Sequence, residues 1–110
     1  MTEIIGTAWK NGRGFPRGNA GYGIKIDRLE DRQTYFSRGT VTLLLEGFSS
    51  PVVVNTDKKS FWTSTCGELI SVEIGKWLHA HGLVPWADGA PPKFSFRPIS
   101  RDRFEVSIGA

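Results

Sequence analysis

Short runs that alternate between apolar and polar residues constrain this chain more than any other feature. "GYGIKID" (residues 21–27) sets Tyr22, Ile24 and Ile26 against Gly23 and Lys25. A period of two is that of a half-buried strand. "TVTLLLEG" (40–47) and "SPVVVN" (50–55) are rich in β-formers and meet through "GFSS", which predicts a hairpin. "KFSFRPI" (93–99) and "RFEVSI" (103–108) alternate on either side of the turn "SRDR". "EIIGTAW" (3–9) adds a first strand, broken at Gly6.

Two stretches have helical period instead. Asp27 is placed as an N-cap, and Glu30 three residues on completes a capping-box pattern for "RLEDRQTYF" (28–36). Leu29, Arg32, Tyr35 and Phe36 fall near one face, with the aliphatic stem of Arg32 lying along it. Arg38-Gly39 ends this helix. Within "STCGELISVEIGKWLHAHG" (64–82) the start is open between a Thr65–Glu68 capping box and Ser71. Either start puts Ile70, Ile74, Trp77 and Leu78 on one stripe, and Gly82 suits the left-handed C-terminal position. The proline-rich "LVPWADGAPP" (83–92) cannot continue it.

Strands on both sides of each helix predict a mainly-β (α+β) open pseudobarrel of about six to seven strands with two short helices. A chain of 110 residues makes this a single domain over 1–110. No apolar run approaches the roughly 18 residues of a membrane span, and no signal peptide opens the chain. A cytoplasmic location without membrane contact is the resulting expectation. The lone Cys66 cannot form an internal disulfide.

Catalytic patterns are weak. His79 and His81 stand about 200° apart around a helix, so regular geometry does not aim both at one metal. One cysteine and two histidines fall short of a zinc site without a carboxylate. Cys66 beside a helix start is a nucleophile only if the fold brings a base to it; a small buried hydrophobe is the plainer reading. "GNAGYG" reverses the glycine order of the dinucleotide fingerprint and precedes a strand rather than a helix. The acids read as structural: Asp27 and Glu30 in a cap, Asp102 in a turn, Glu68 and Glu73 at a helix start. The expectation is a protein without catalytic residues, metal or cofactor.

What remains is the placement of charge. The net charge is +3, a mild lean toward polyanions. "WKNGRGFPRGNAGYG" (9–23) carries Lys10, Arg13 and Arg17 among five glycines, with no acid. A second connection, 55–63, carries Lys58 and Lys59. Asn11, Asn19, Asn55, Thr56 and Ser60 add small hydrogen-bonding groups, and Trp62 adds an aromatic ring. Cations, amides and hydroxyls on glycine-rich backbone are what phosphate contacts use, and Arg and Asn can also read base edges; the competing account is a pair of solvated loops kept soluble by their charge. The core is the favoured place for each tryptophan, Trp77 on the helix stripe and Trp86 as a plug at one barrel end; Trp9 and Trp62 are the candidates for base stacking if exposed.

The order of elements, together with "GKWLHAHGLVPWADGAPPKFSF…RFEVSI", resembles the B3-type DNA-binding pseudobarrel of plant transcription factors and of recognition domains in certain restriction endonucleases. Trp77 and Leu83 fit the tryptophan-bearing helix and the leucine beyond it, and "DG" stands where that family has "GD". The resemblance implies that two loops grip the major groove: the connection between the first two strands, here 10–20, and the one before the second helix, here about 55–63. The nucleic-acid-binding set is then Lys10, Asn11, Arg13, Arg17, Asn19, Asn55, Lys58, Lys59, Ser60 and Trp62. The expected partner is nucleic acid, double-stranded DNA ahead of RNA, with a separately encoded nuclease or regulatory protein as a further partner. The rival expectations are a protein-interaction or ligand-binding module working through loop 84–92 with Trp86, and a small hydrolase or transferase using Cys66 or the histidines. A swapped-hairpin dimer of the AbrB kind ranks below these, because it needs about half this length.

Overall fold

The computed structural model describes residues 3–109. The strands are β1 (Ile4–Lys10), β2 (Tyr22–Ile26), β3 (Thr40–Leu45), β4 (Val52–Asn55), β5 (Glu68–Ile70), β6 (Lys93–Ser100) and β7 (Arg103–Ile108). The helices are α1 (Leu29–Tyr35) and α2 (Val72–Ala80), and a 3-10 turn spans Lys59–Trp62. All seven strands form one nearly closed, barrel-like sheet in the order β4-β3-β7-β6-β1-β2-β5. Its two end strands, β4 and β5, meet across the seam. The β3–β7 pair is parallel and the other pairs are antiparallel.

These pairings fix strand directions. β1, β3, β5 and β7 run one way, and β2, β4 and β6 run the other. The barrel therefore has two distinct ends. At the upper end lie the β1–β2 connection, α2 and the proline-rich loop. At the lower end lie α1 and the β4–β5 connection.

The alternating residues fill the interior as their period requires. Ile4, Tyr22, Ile24, Ile26, Leu43 and Leu69 are among the wholly buried side chains, with Phe94 and Phe104 from the last hairpin. Each helix closes one end. Trp77, buried on α2, donates its Nε1–H to the Glu46 carbonyl (2.7 Å) beyond β3, and α2 also buries Ile74 and Leu78. Truncating such a buried indole to alanine costs about 3–5 kcal/mol. At the other end Phe36 stacks on Phe104 at 4.4 Å.

Four local expectations need correction. Gly6 does not break β1: the strand runs through it, because a Cβ there would lie 2.6 Å from Ile24 and 2.8 Å from Phe96. The absent side chain makes room for two core neighbours. The Asp27–Glu30 capping box does not form. α1 starts after Arg28, with no side-chain cap. Asp27 instead accepts from the Thr7 hydroxyl (2.6 Å) and pairs with Lys93 (3.3 Å), while Glu30 pairs with Arg28. Cross-strand partners outcompete a local cap at the mouth of β2.

Third, Glu68–Ile70 is a strand, not the first turn of α2. It pairs with β2 as Gly23↔Ile70, Ile24↔Leu69 and Lys25↔Glu68. Ile70 thus leaves the helical stripe and is 40% exposed. Ser71 caps α2, accepting from the Glu73 N–H at 3.1 Å. Fourth, Arg32 does not merely lay its stem on an apolar face, since it is wholly buried. The expected end of α2 is as drawn: Gly82 has φ +65, and Leu83 N–H donates to the Leu78 carbonyl (2.9 Å), the closure of a Schellman motif. Asp102 sits in the expected turn, where its carboxylate accepts from Ser37 N–H at 2.8 Å. Among the described residues no helix is long and apolar enough to cross a membrane.

Candidate nucleic-acid interface

The two basic connections sit at opposite ends of the barrel but lead into neighbouring strands. The first (11–21) enters β2 from above, and the second (56–67) enters β5 from below. β2 and β5 pair directly, so one stretch of sheet separates the two connections. Its height is that of a five-residue strand, roughly 15 Å. That is near the width of a DNA major groove, about 12 Å.

The first connection is rooted, not loose. Asn11 N–H donates to the Gly21 carbonyl (2.8 Å), closing its base. Tyr22 donates its hydroxyl to the Pro16 carbonyl (2.8 Å). Phe15 meets Trp86 edge-on at 5.0 Å, and Trp86 in turn faces Tyr22 at 6.5 Å. The tryptophan of the proline-rich loop therefore points inward and anchors this connection. Asn19 places its carbonyl against α2, where a Cβ on Gly75 would lie 1.9 Å away. Only glycine lets helix and loop backbone come so close.

Lys10 belongs to this root. Its ammonium donates to the carbonyls of Gly12 (3.0 Å) and Arg13 (2.8 Å) and lies 4.9 Å from the Phe15 ring centroid. Arg13 and Arg17 differ: both are exposed, and neither has a carboxylate partner among the described residues.

The second connection is rooted by different chemistry. Phe61 is buried in the core. Arg32 Nη1 reaches across from α1 and donates to the carbonyls of Phe61 and Thr63, both at 2.7 Å. A guanidinium stays charged even when burial lowers its pKa, as it does here against the opposing pull of Glu68 and Cys66. Gly67 makes room for it, since a Cβ there would lie 2.4 Å from Nη1. Thr56 is buried and donates to the Ser37 carbonyl (2.6 Å), which removes its hydroxyl from any external ligand. Trp62 is half-buried: its Nε1–H donates to the Thr56 carbonyl (2.9 Å), and the Arg38 guanidinium lies 5.6 Å from its ring centroid. Asn55 accepts from Asp57 N–H (2.9 Å), and Asp57 pairs with Arg38.

Lys58 is half-buried, and burial lowers its pKa against the pull of Glu68 and Cys66. Lys59 and Ser60 are the exposed tip. Each connection therefore has a packed root and a free cationic tip: Arg13 and Arg17 above, Lys59 below, with Lys58 set behind it.

Sequence reading placed these cations but missed what holds them, namely Arg32, Phe15 and Trp86. The signals were an arginine on the apolar face of α1, a tryptophan read as a barrel-end plug and an aromatic in a glycine-rich loop; what no local signal supplied was their partners. The other candidates separate. Cys66 lies at the lower end, while His79 and His81 end α2 at the upper end, so no thiol–imidazole pair is assembled. His79 bonds the Gly75 carbonyl through Nδ1 (2.8 Å), and His81 packs edge-on to Trp77. No family model matches this chain, and no curated protein or solved structure matches it either.

Proposed function

We propose that this chain is a non-enzymatic, cytoplasmic DNA-binding domain that grips a duplex between the two basic connections. The observation that carries the reading is the pairing of two rooted loops with unpaired cationic tips, Arg13 and Arg17 at one end and Lys59 at the other, across a single strand pair. Rooted loops lose less backbone freedom on binding than loose ones, so ordering entropy offsets less of their charge contacts. Free cations displace counterions from phosphates, while glycine lets backbone N–H groups approach. The resemblance to B3-type pseudobarrels supports the same two loops. On this reading a separately encoded nuclease or regulator would act on the bound site.

The test is titration into a labelled random-sequence duplex at several salt concentrations. The expected result is a log-linear loss of affinity with salt, with a slope of about −3 to −5. Absence of binding at low salt would overturn the reading.

A further inference from the structure

The sheet between the two connections has its own chemistry. On its outer face Trp9, Gly23 and Ile70 stand side by side in register across β1, β2 and β5. The next row is Thr7, Lys25 and Glu68. Among the described residues Trp62, Trp77 and Trp86 belong to the core or pack on it, whereas Trp9, half-buried on the outer face, does not. Gly23 keeps the row flat, because β5 crosses so close that a Cβ would lie 2.4 Å from the Leu69 carbonyl. Lys25 extends its ammonium to the Thr65 carbonyl (3.4 Å), at the lip of the second connection. Glu68 is the one acid in these two rows, and cations flank them at both ends.

We infer that this face is the floor on which the gripped duplex rests, with Trp9 and Lys25 as direct contacts. The inference builds on the DNA-binding reading above. Charge complementarity selects the occupant: an apolar strip between two sets of unpaired cations suits a polyanion whose sugars and base edges lie between two rows of phosphates. Trp9 packs on the apolar part of the duplex, and Lys25 meets phosphate.

Three variants and one signal test this with the random-sequence duplex. Trp9→Ala weakens binding about tenfold with an unchanged salt slope, because an apolar contact releases no counterions. Ile70→Ser weakens it in the same way but less. Lys25→Ala reduces the slope by about one. Duplex addition quenches tryptophan emission in the parent protein, and the quench shrinks in Trp9→Phe. If the parent binds with the expected salt dependence while Trp9→Ala binds equally well and Trp9→Phe keeps the full quench, the floor is wrong and the two-loop grip stands. If the parent binds no duplex at low salt, both fall together.

Discussion

The two ends of the barrel solve one problem in opposite ways. Above, an acid-free, glycine-rich connection is held by aromatic faces and backbone: Phe15 on Trp86, Tyr22 on Pro16, Asn19 against Gly75. Below, a connection with little glycine is held chiefly by one buried guanidinium that gathers two carbonyls, with Phe61 in the core and Thr56 and Trp62 in hydrogen bonds beside it. The upper root is dispersed over many weak contacts; the lower has one dominant charged contact, Arg32, beside buried Phe61 and the Thr56 and Trp62 hydrogen bonds. A dispersed root tolerates single changes, whereas a concentrated one does not.

The largest expected effect therefore comes from Arg32→Met. It leaves the Phe61 and Thr63 carbonyls without their charged donor, a loss of about 2–4 kcal/mol. Urea denaturation measures it. An unchanged midpoint would mean the methionine packs as well as the buried charge, and the lower root would not be concentrated there.

Gly75→Ala comes next. Alanine favours helix by nearly 1 kcal/mol over glycine, yet its Cβ would meet the Asn19 carbonyl. A net loss of about 1–2 kcal/mol is expected from overpacking. A rise in Tm would show that the upper loop yields freely.

Charge reversal at the tips separates rooting from binding. Arg17→Glu and Lys59→Glu should each weaken duplex affinity about tenfold or more through lost and reversed phosphate contacts, with Tm unchanged. Equal affinity in either variant, with the fold intact, removes that loop from the interface. A smaller effect belongs to Asp27→Asn, which gives up the partly exposed pair with Lys93 for about 0.5 kcal/mol. Glu30→Ala should do nothing measurable to thermal stability. A clear loss there would restore the capping box in place of the cross-strand partners.

Much of the barrel is legible in the sequence because a period of two survives in β2 and the last hairpin, β-formers cluster in β3 and β4, and a period near four marks α2. What is illegible is non-local. β5 is three residues long and makes sense as a strand only beside β2. Arg32 looks like a snorkelling side chain until Phe61 and Thr63, far along the chain, bring their carbonyls to it. The cationic tips can be picked from composition, because Lys and Arg in an irregular connection keep their charged heads in water. Their roots cannot, because Trp86 and Gly75 reach the first connection only through the curled sheet. Trp9 shows the same limit: alternation places it opposite Ala8, but register alone lines it up with Gly23 and Ile70.

The seam between β4 and β5 bears on how copies of this chain behave toward one another. An open sheet edge is a template onto which a strand from another molecule can add. Here one edge is four residues long, follows Pro51 and carries the 63% exposed Val53. The other is three residues long and turns at once into α2. Neither offers enough consecutive unpaired backbone to seed a fibre, so the protein can stop short of closing its barrel and still resist edge-to-edge aggregation.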